Sequence, residues 1–143
     1  MQCVGMKKLM EKVKHGKDSL LDLTPFWQSV GMIMVKQTLR NFQNEQSPEG
    51  VKWKPLSAAR IRQRNKRHKG GQMNILTDTG ELRRSVAYKA FKSRVIFGSA
   101  LKYAATHQFG RGNIPSRPYL GVTEEDKSKV LSMMKAYLKR NLT

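Results

Sequence analysis

Val86-Ala87-Tyr88-Lys89-Ala90-Phe91 is followed, after Lys92-Ser93, by Arg94-Val95-Ile96-Phe97-Gly98-Ser99. Both runs are short and rich in aromatic and β-branched residues, which suit a pleated surface, and the polar pair between them fits a hairpin loop. The stretch reads as an antiparallel hairpin. Around it, the longer periodic segments place apolar residues at helical spacing. The expected class is therefore α+β: a single domain over residues 1–143, with helices packed on a small, mainly antiparallel sheet and a long C-terminal helix.

Downstream, Tyr103 to Phe109 reads as a short helix and Gly110-Arg111-Gly112-Asn113 as a loop. Ile114-Pro115-Ser116-Arg117-Pro118-Tyr119-Leu120 holds two prolines, which disfavour a helix and permit at most an edge strand. In the last helix, Thr123 precedes Glu124, Glu125 and Asp126, so acids sit at the positive end and one can close a capping box. Val130, Leu131, Met134 and Leu138 are its expected apolar face.

Upstream, Asp78-Thr79-Gly80-Glu81-Leu82-Arg83-Arg84-Ser85 reads as a helical turn capped by Asp78 or Thr79, and Ile75-Leu76-Thr77 as a return to the core. Trp53, Pro55 and Leu56 form an apolar anchor, after which Ser57 can cap a helix or a partly helical loop. Ser47-Pro48-Glu49-Gly50 is a turn by composition. It ends a helix that starts at Thr24-Pro25, with Thr24 as the expected cap, runs to about Phe42, and presents Phe26, Val30, Ile33, Met34 and Phe42 on one face. Met6 to Leu23 reads as a short amphipathic helix broken near Gly16.

The 143 residues carry 28 Lys and Arg against 10 Asp and Glu, a formal charge of +18. Such a charge points to an anionic partner: nucleic acid, an acidic protein surface or anionic lipid. The longest apolar run, Val30 to Val35, is far below the ~20 residues of a membrane span, so no membrane role is expected. Nor does the segment after Met1 resemble a secretory signal. The single cysteine, Cys3, excludes an internal disulfide and a Cys-rich zinc site.

The charge is densest at Arg60, Arg62, Arg64, Lys66, Arg67 and Lys69, where Ile61 is the one aliphatic residue. With no apolar face to pack, the segment near 58–72 is expected to be an exposed, mobile loop. These six cations are the candidate contact to DNA or to an acidic partner, weighed against a simply solvated loop. No aromatic residue interrupts them, so any DNA contact would be nonspecific and phosphate-driven.

Catalytic chemistry finds little support. His15, His68 and His107 sit in no nucleophile motif, and a packing or hydrogen-bonding role for His107 outweighs acid–base work. The histidines are too scattered for a metal site, and the acids of 124–126 are explained by a helix start. Gly110-Arg111-Gly112 lacks the further glycine of a nucleotide loop. No catalytic, cofactor or metal residue is assigned.

Several of these pieces occur in a familiar order. Ser47-Pro48-Glu49-Gly50 precedes Trp53 and Pro55-Leu56-Ser57; Leu76-Thr77-Asp78-Thr79-Gly80 leads to Leu82-Arg83 and Ser85. Gly98-Ser99, Tyr103-Ala104, His107-Gln108-Phe109-Gly110 and Ile114-Pro115-Ser116-Arg117-Pro118-Tyr119-Leu120-Gly121 follow. From about Thr24 to Leu120 the chain resembles the phage virion morphogenesis family, tail-completion and head–tail joining proteins of Mu-like and other long-tailed phages and prophages. It departs at Ser116 and Tyr119, where the family usually has Ala and Phe, and in lacking a clear strand before Thr24.

The resemblance implies a structural virion protein without enzymatic activity or cofactor, acting as a ring of copies at the neck or tail end. It would meet other tail, neck or connector proteins, in the virion and, during assembly, in the host cytoplasm. Trp53, Thr79, Gly80, Leu82, Arg83, Ser85, Tyr103, His107, Phe109, Gly110, Pro115, Arg117, Pro118 and Tyr119 would then be fold and assembly positions. The alternative is a nonspecific nucleic-acid-binding protein that uses the basic segment. A hydrolase built on His107 lacks a nucleophile and ranks last.

Overall fold

The computed structural model describes Asp18 and residues 22–69, 71 and 73–142. The expected helix over Met6–Leu23 falls almost entirely outside them, as do Cys3 and His15. The described elements run α1 (Thr24–Asn44), α2 (Ala58–His68), α3 (Glu81–Ser85), β1 (Ala87–Ala90), β2 (Val95–Gly98), α4 (Ala104–Phe109) and α5 (Glu124–Leu142). The hairpin forms where its sequence predicts it. Ala87 pairs with Gly98 and Ala90 with Val95 in antiparallel register, and Phe91 N–H donates to Arg94 O across the turn at 2.8 Å. The chain is a single α+β domain, as expected.

α1 serves two cores. Its first half puts Phe26, Val30 and Met34 against Val95 and Phe97 of the hairpin and Val130, Met133, Met134 and Tyr137 of α5. Its second half delivers Phe42 to a cluster of Trp53, Ile75, Leu76, Leu82, Val86, Ala104 and Tyr119. There Phe42 meets the Trp53 ring edge-on at 5.7 Å and the tilted Tyr119 ring at 5.2 Å, orientations that aromatic quadrupoles favour. Proline at the start of α1 costs no hydrogen bond, but Thr24 is not the cap. Asp22 does that work: its carboxylate accepts from Thr24 N at 3.0 Å, and hydrogen bonds from Thr24 hold its pKa below the usual aspartate value.

α5 begins with the expected reciprocal cap. Thr123 N–H donates to Asp126 Oδ2 at 2.9 Å and Asp126 N–H returns a bond to Thr123 Oγ1 at 3.2 Å. Its packed face is rotated from the sequence expectation: Met133 and Tyr137 join Val130 and Met134, while Leu131 is exposed. The capped turn also needs correction. Neither Asp78 nor Thr79 is the N-cap of α3; Gly80 takes that position with φ 74°, and Thr79 Oγ1 accepts the Glu81 amide at 3.3 Å. The Asp78 carboxylate is engaged elsewhere.

The arm over 115–120 joins no sheet, yet its polar backbone groups are paired largely through side chains. Gln108 Oε1 accepts from Tyr119 N and Leu120 N, both at 3.0 Å, and Gln108 Nε2 donates to Leu120 O at 2.8 Å. Asn41 Nδ2 donates to Tyr119 O, and Trp53 Nε1 to Pro118 O at 2.7 Å. Buried backbone must find such partners, so the two prolines shape the arm and amide side chains hold it.

Candidate functional site

The basic segment near 58–72, expected as a loop, forms a helix over Ala58–His68, most of whose residues are exposed as expected. Ser57 Oγ caps α2 by accepting Arg60 N at 3.2 Å, and Lys69 ends it in the left-handed region at φ 47°. What substitutes for an apolar face is a carboxylate. Arg60, Arg64, Arg67 and His68 share one side of the helix, at intervals of four, seven and eight residues from Arg60, and all four approach Asp78.

Arg60 Nη2 and Arg67 Nη1 reach Asp78 Oδ2 at 3.0 and 3.3 Å, and His68 Nε2 lies 2.8 Å from Oδ1. Arg64 is only 3% exposed; its Nη1 donates to Asn74 O at 2.7 Å. Arg64 Nε stands 3.7 Å from Asp78 Oδ1 and makes no hydrogen bond. The His68 hydrogen bond, with smaller help from the three arginines, holds the Asp78 pKa below the usual value against the opposing effect of burial. Of the six candidate cations, Arg62, Lys66 and Lys69 remain on the exposed side.

Beside this cluster lies an open cleft of about 800 Å³ between α2, the turn at Gly80 and the segment 113–117. It gathers Thr79, Gly80, Leu82, Tyr103, His107, Pro115 and Arg117, seven of the positions carrying the family resemblance. Tyr103 OH donates to Glu81 Oε2 at 2.8 Å, and its pKa is raised, first by burial and then by that bond. Arg117 is buried and donates from Nε to Lys54 O at 2.9 Å and from Nη2 to Pro55 O at 3.0 Å, clamping the Trp53 anchor to the arm.

His107 Nδ1 is buried without a hydrogen-bond partner. Burial, then Arg117 and Arg60, lower the His107 pKa below 6.5, so the ring is neutral at pH 7.

The remaining positions serve packing or are spread over the surface. Trp53 and Tyr119 are core residues, and Pro118 accepts the Trp53 indole bond. Ser85 Oγ donates to Leu82 O and lies 2.6 Å from Ser99 Oγ. Arg83 lines an adjoining hollow with Leu39 and Val86, which shares Asp78, Thr79 and Gly80 with the cleft. Gly110 has φ 76°, and a side chain there would run into Ser116 N and Ile114 O. Phe109, next to it, is 77% exposed.

The Asp78 hub was missed at the sequence level, although the signal was present. Asp78 is the one acid between Glu49 and Glu81, and the arginines preceding it repeat at helical spacing. Among the described residues no group of three His, Cys, Asp or Glu side chains could hold a metal ion, and no helix is long and apolar enough to cross a membrane.

The profile of the phage virion morphogenesis family matches residues 4–139, wider than the stretch from Thr24 to Leu120 on which the motifs lie. Mu-like prophage FluMu G protein 1 of Haemophilus influenzae is 25% identical over 136 residues, covering 95% of this chain and 86% of that protein. Mu-like prophage FluMu G protein 2 of the same organism is 31% identical over 120 residues, covering 79% and 76%. No solved structure matches the chain. The chain belongs to the phage virion morphogenesis family.

Proposed function

We propose that this protein is a non-enzymatic structural component that completes the tail or joins head to tail, acting as a ring of copies at the neck or tail end. Family membership supports a structural role in phage assembly. The observation that carries the finer reading is Phe109. Its helix is fastened to the arm, with Arg117 N donating to His107 O at 2.8 Å and Gln108 Nε2 to Leu120 O at 2.8 Å, yet its own ring is left in solvent. A fixed, exposed aromatic forgoes about 2 kcal/mol of burial and is the kind of side chain that anchors protein interfaces. Repetition around a ring makes weak single contacts strong together.

Phe109→Ser tests the reading in a prophage lacking its own copy of the gene. The variant keeps the wild-type urea midpoint, because the ring is not part of the core, but fails to restore infectious particles. Full restoration would contradict the interface role.

A second reading, nonspecific DNA contact, is favoured by the outward placement of Arg62, Lys66 and Lys69 along one α2 surface. Log affinity for duplex DNA would then fall against log salt by about 0.9 per neutralised phosphate. Replacing those three by Gln would flatten the slope by up to about 3. An unchanged slope removes this reading.

A further inference from the structure

We propose that the cleft between α2, the Gly80 turn and segment 113–117 docks an acidic peptide segment of another virion protein, an inference that rests on the assembly role. The first argument is charge. Lys54, Arg60, Arg64 and Arg117 face the cleft together with Asp78 and Glu81, leaving it net positive by two charges, which suits a segment of modest negative charge better than a densely charged backbone. The second is unmet hydrogen bonding. Arg64 Nε and His107 Nδ1 are both buried without a hydrogen-bond partner, although their side chains belong to the lining. Buried polar nitrogens are normally paired; both atoms are closed off from the cleft by their neighbours, so a carboxylate would satisfy them only after the lining side chains turn toward it.

The third argument is shape and mixture. A concave space of about 800 Å³ suits a short stretch of chain better than a duplex groove, and Leu56, Ile114 and Pro115 give apolar partners for the residues between the acids. Ile114 is 43% exposed, so it has contact area left to offer.

Fluorescence anisotropy with a labelled, end-blocked hexapeptide of alternating leucine and glutamate tests the proposal, with glutamine replacing glutamate in the control peptide. The acidic peptide should bind, and the control about ten-fold more weakly. The double change Lys54→Gln, Arg60→Gln should cost about ten-fold, whereas Arg62→Gln, Lys66→Gln on the outer face should leave affinity unchanged. Ile114→Glu provides an independent loss that leaves the Asp78 cluster intact.

No binding by wild-type protein, or equal losses from the cleft and outer-face pairs, would overturn the proposal. So would a 20-base-pair duplex that displaces the peptide while losing affinity with the cleft variants, since that would assign the cleft to phosphate. Mass spectrometry of purified particles separates this from the assembly role: absence of the wild-type protein would sink the role and leave the titration as it stands.

Discussion

Four side chains of one helix meet the Asp78 carboxylate, so this residue does for α2 what a leucine stripe does for an ordinary helix. Asp78→Asn leaves the buried Arg64 charge without its counterion and should cost about 2–3 kcal/mol in urea unfolding at pH 7. Hydrogen exchange should speed up selectively at the α2 amides; a variant as stable as wild type would show that the cluster is ornamental. Asp78 also has a pH signature. Its folded pKa lies below 3.8, so its contribution is complete above that value and is lost as pH falls through the folded pKa. His107 has a higher window. Its folded pKa is depressed below 6.5, so the unfolded chain binds more protons just under that pH, and stability rises as pH climbs toward it. His107→Gln should remove this rise, and an identical pH–stability curve in the variant would refute the assignment.

Among the elements, those built from neighbouring residues were legible. The hairpin and the Thr123–Asp126 cap involve partners close in sequence, so aromatic and β-branched composition and capping chemistry found both. Helix α2 was legible only at its start, where Ser57 could be read as a cap; its body was not, because hydrophobic periodicity cannot register a face made of arginine whose partner lies beyond the helix. The arm was half legible: prolines announced an extended chain, but Asn41, 78 residues from Tyr119, carries no local mark of the bond it makes. Close packing of α1 on the hairpin gives a prediction with an unusual sign. Gly31→Ala should help a helix interior by up to about 1 kcal/mol, yet the added methyl would fall on the Tyr88 ring. Overpacking should prevail, with net destabilisation of about 1–3 kcal/mol in urea unfolding. A more stable variant would mean that β1 yields readily.

At the scale of the molecule, α1 ties a hairpin-and-α5 core to a loop-rich core, and the second carries most of the family-like positions together with the cleft and the exposed Phe109. A charge of +18 makes copies repel unless an anionic partner or the ordered geometry of a particle compensates. That fits the proposed ring if it is stable on the particle rather than free in solution. Short local motifs located the arm and the turn at Gly80, but their convergence on one cleft depends on contacts between segments far apart in the chain. The central claim is occupancy of a defined place in the virion. Cryo-electron microscopy of complete particles should show several copies arranged around the axis at the neck or one tail end, and complete, infectious particles with no copy at either place would contradict it.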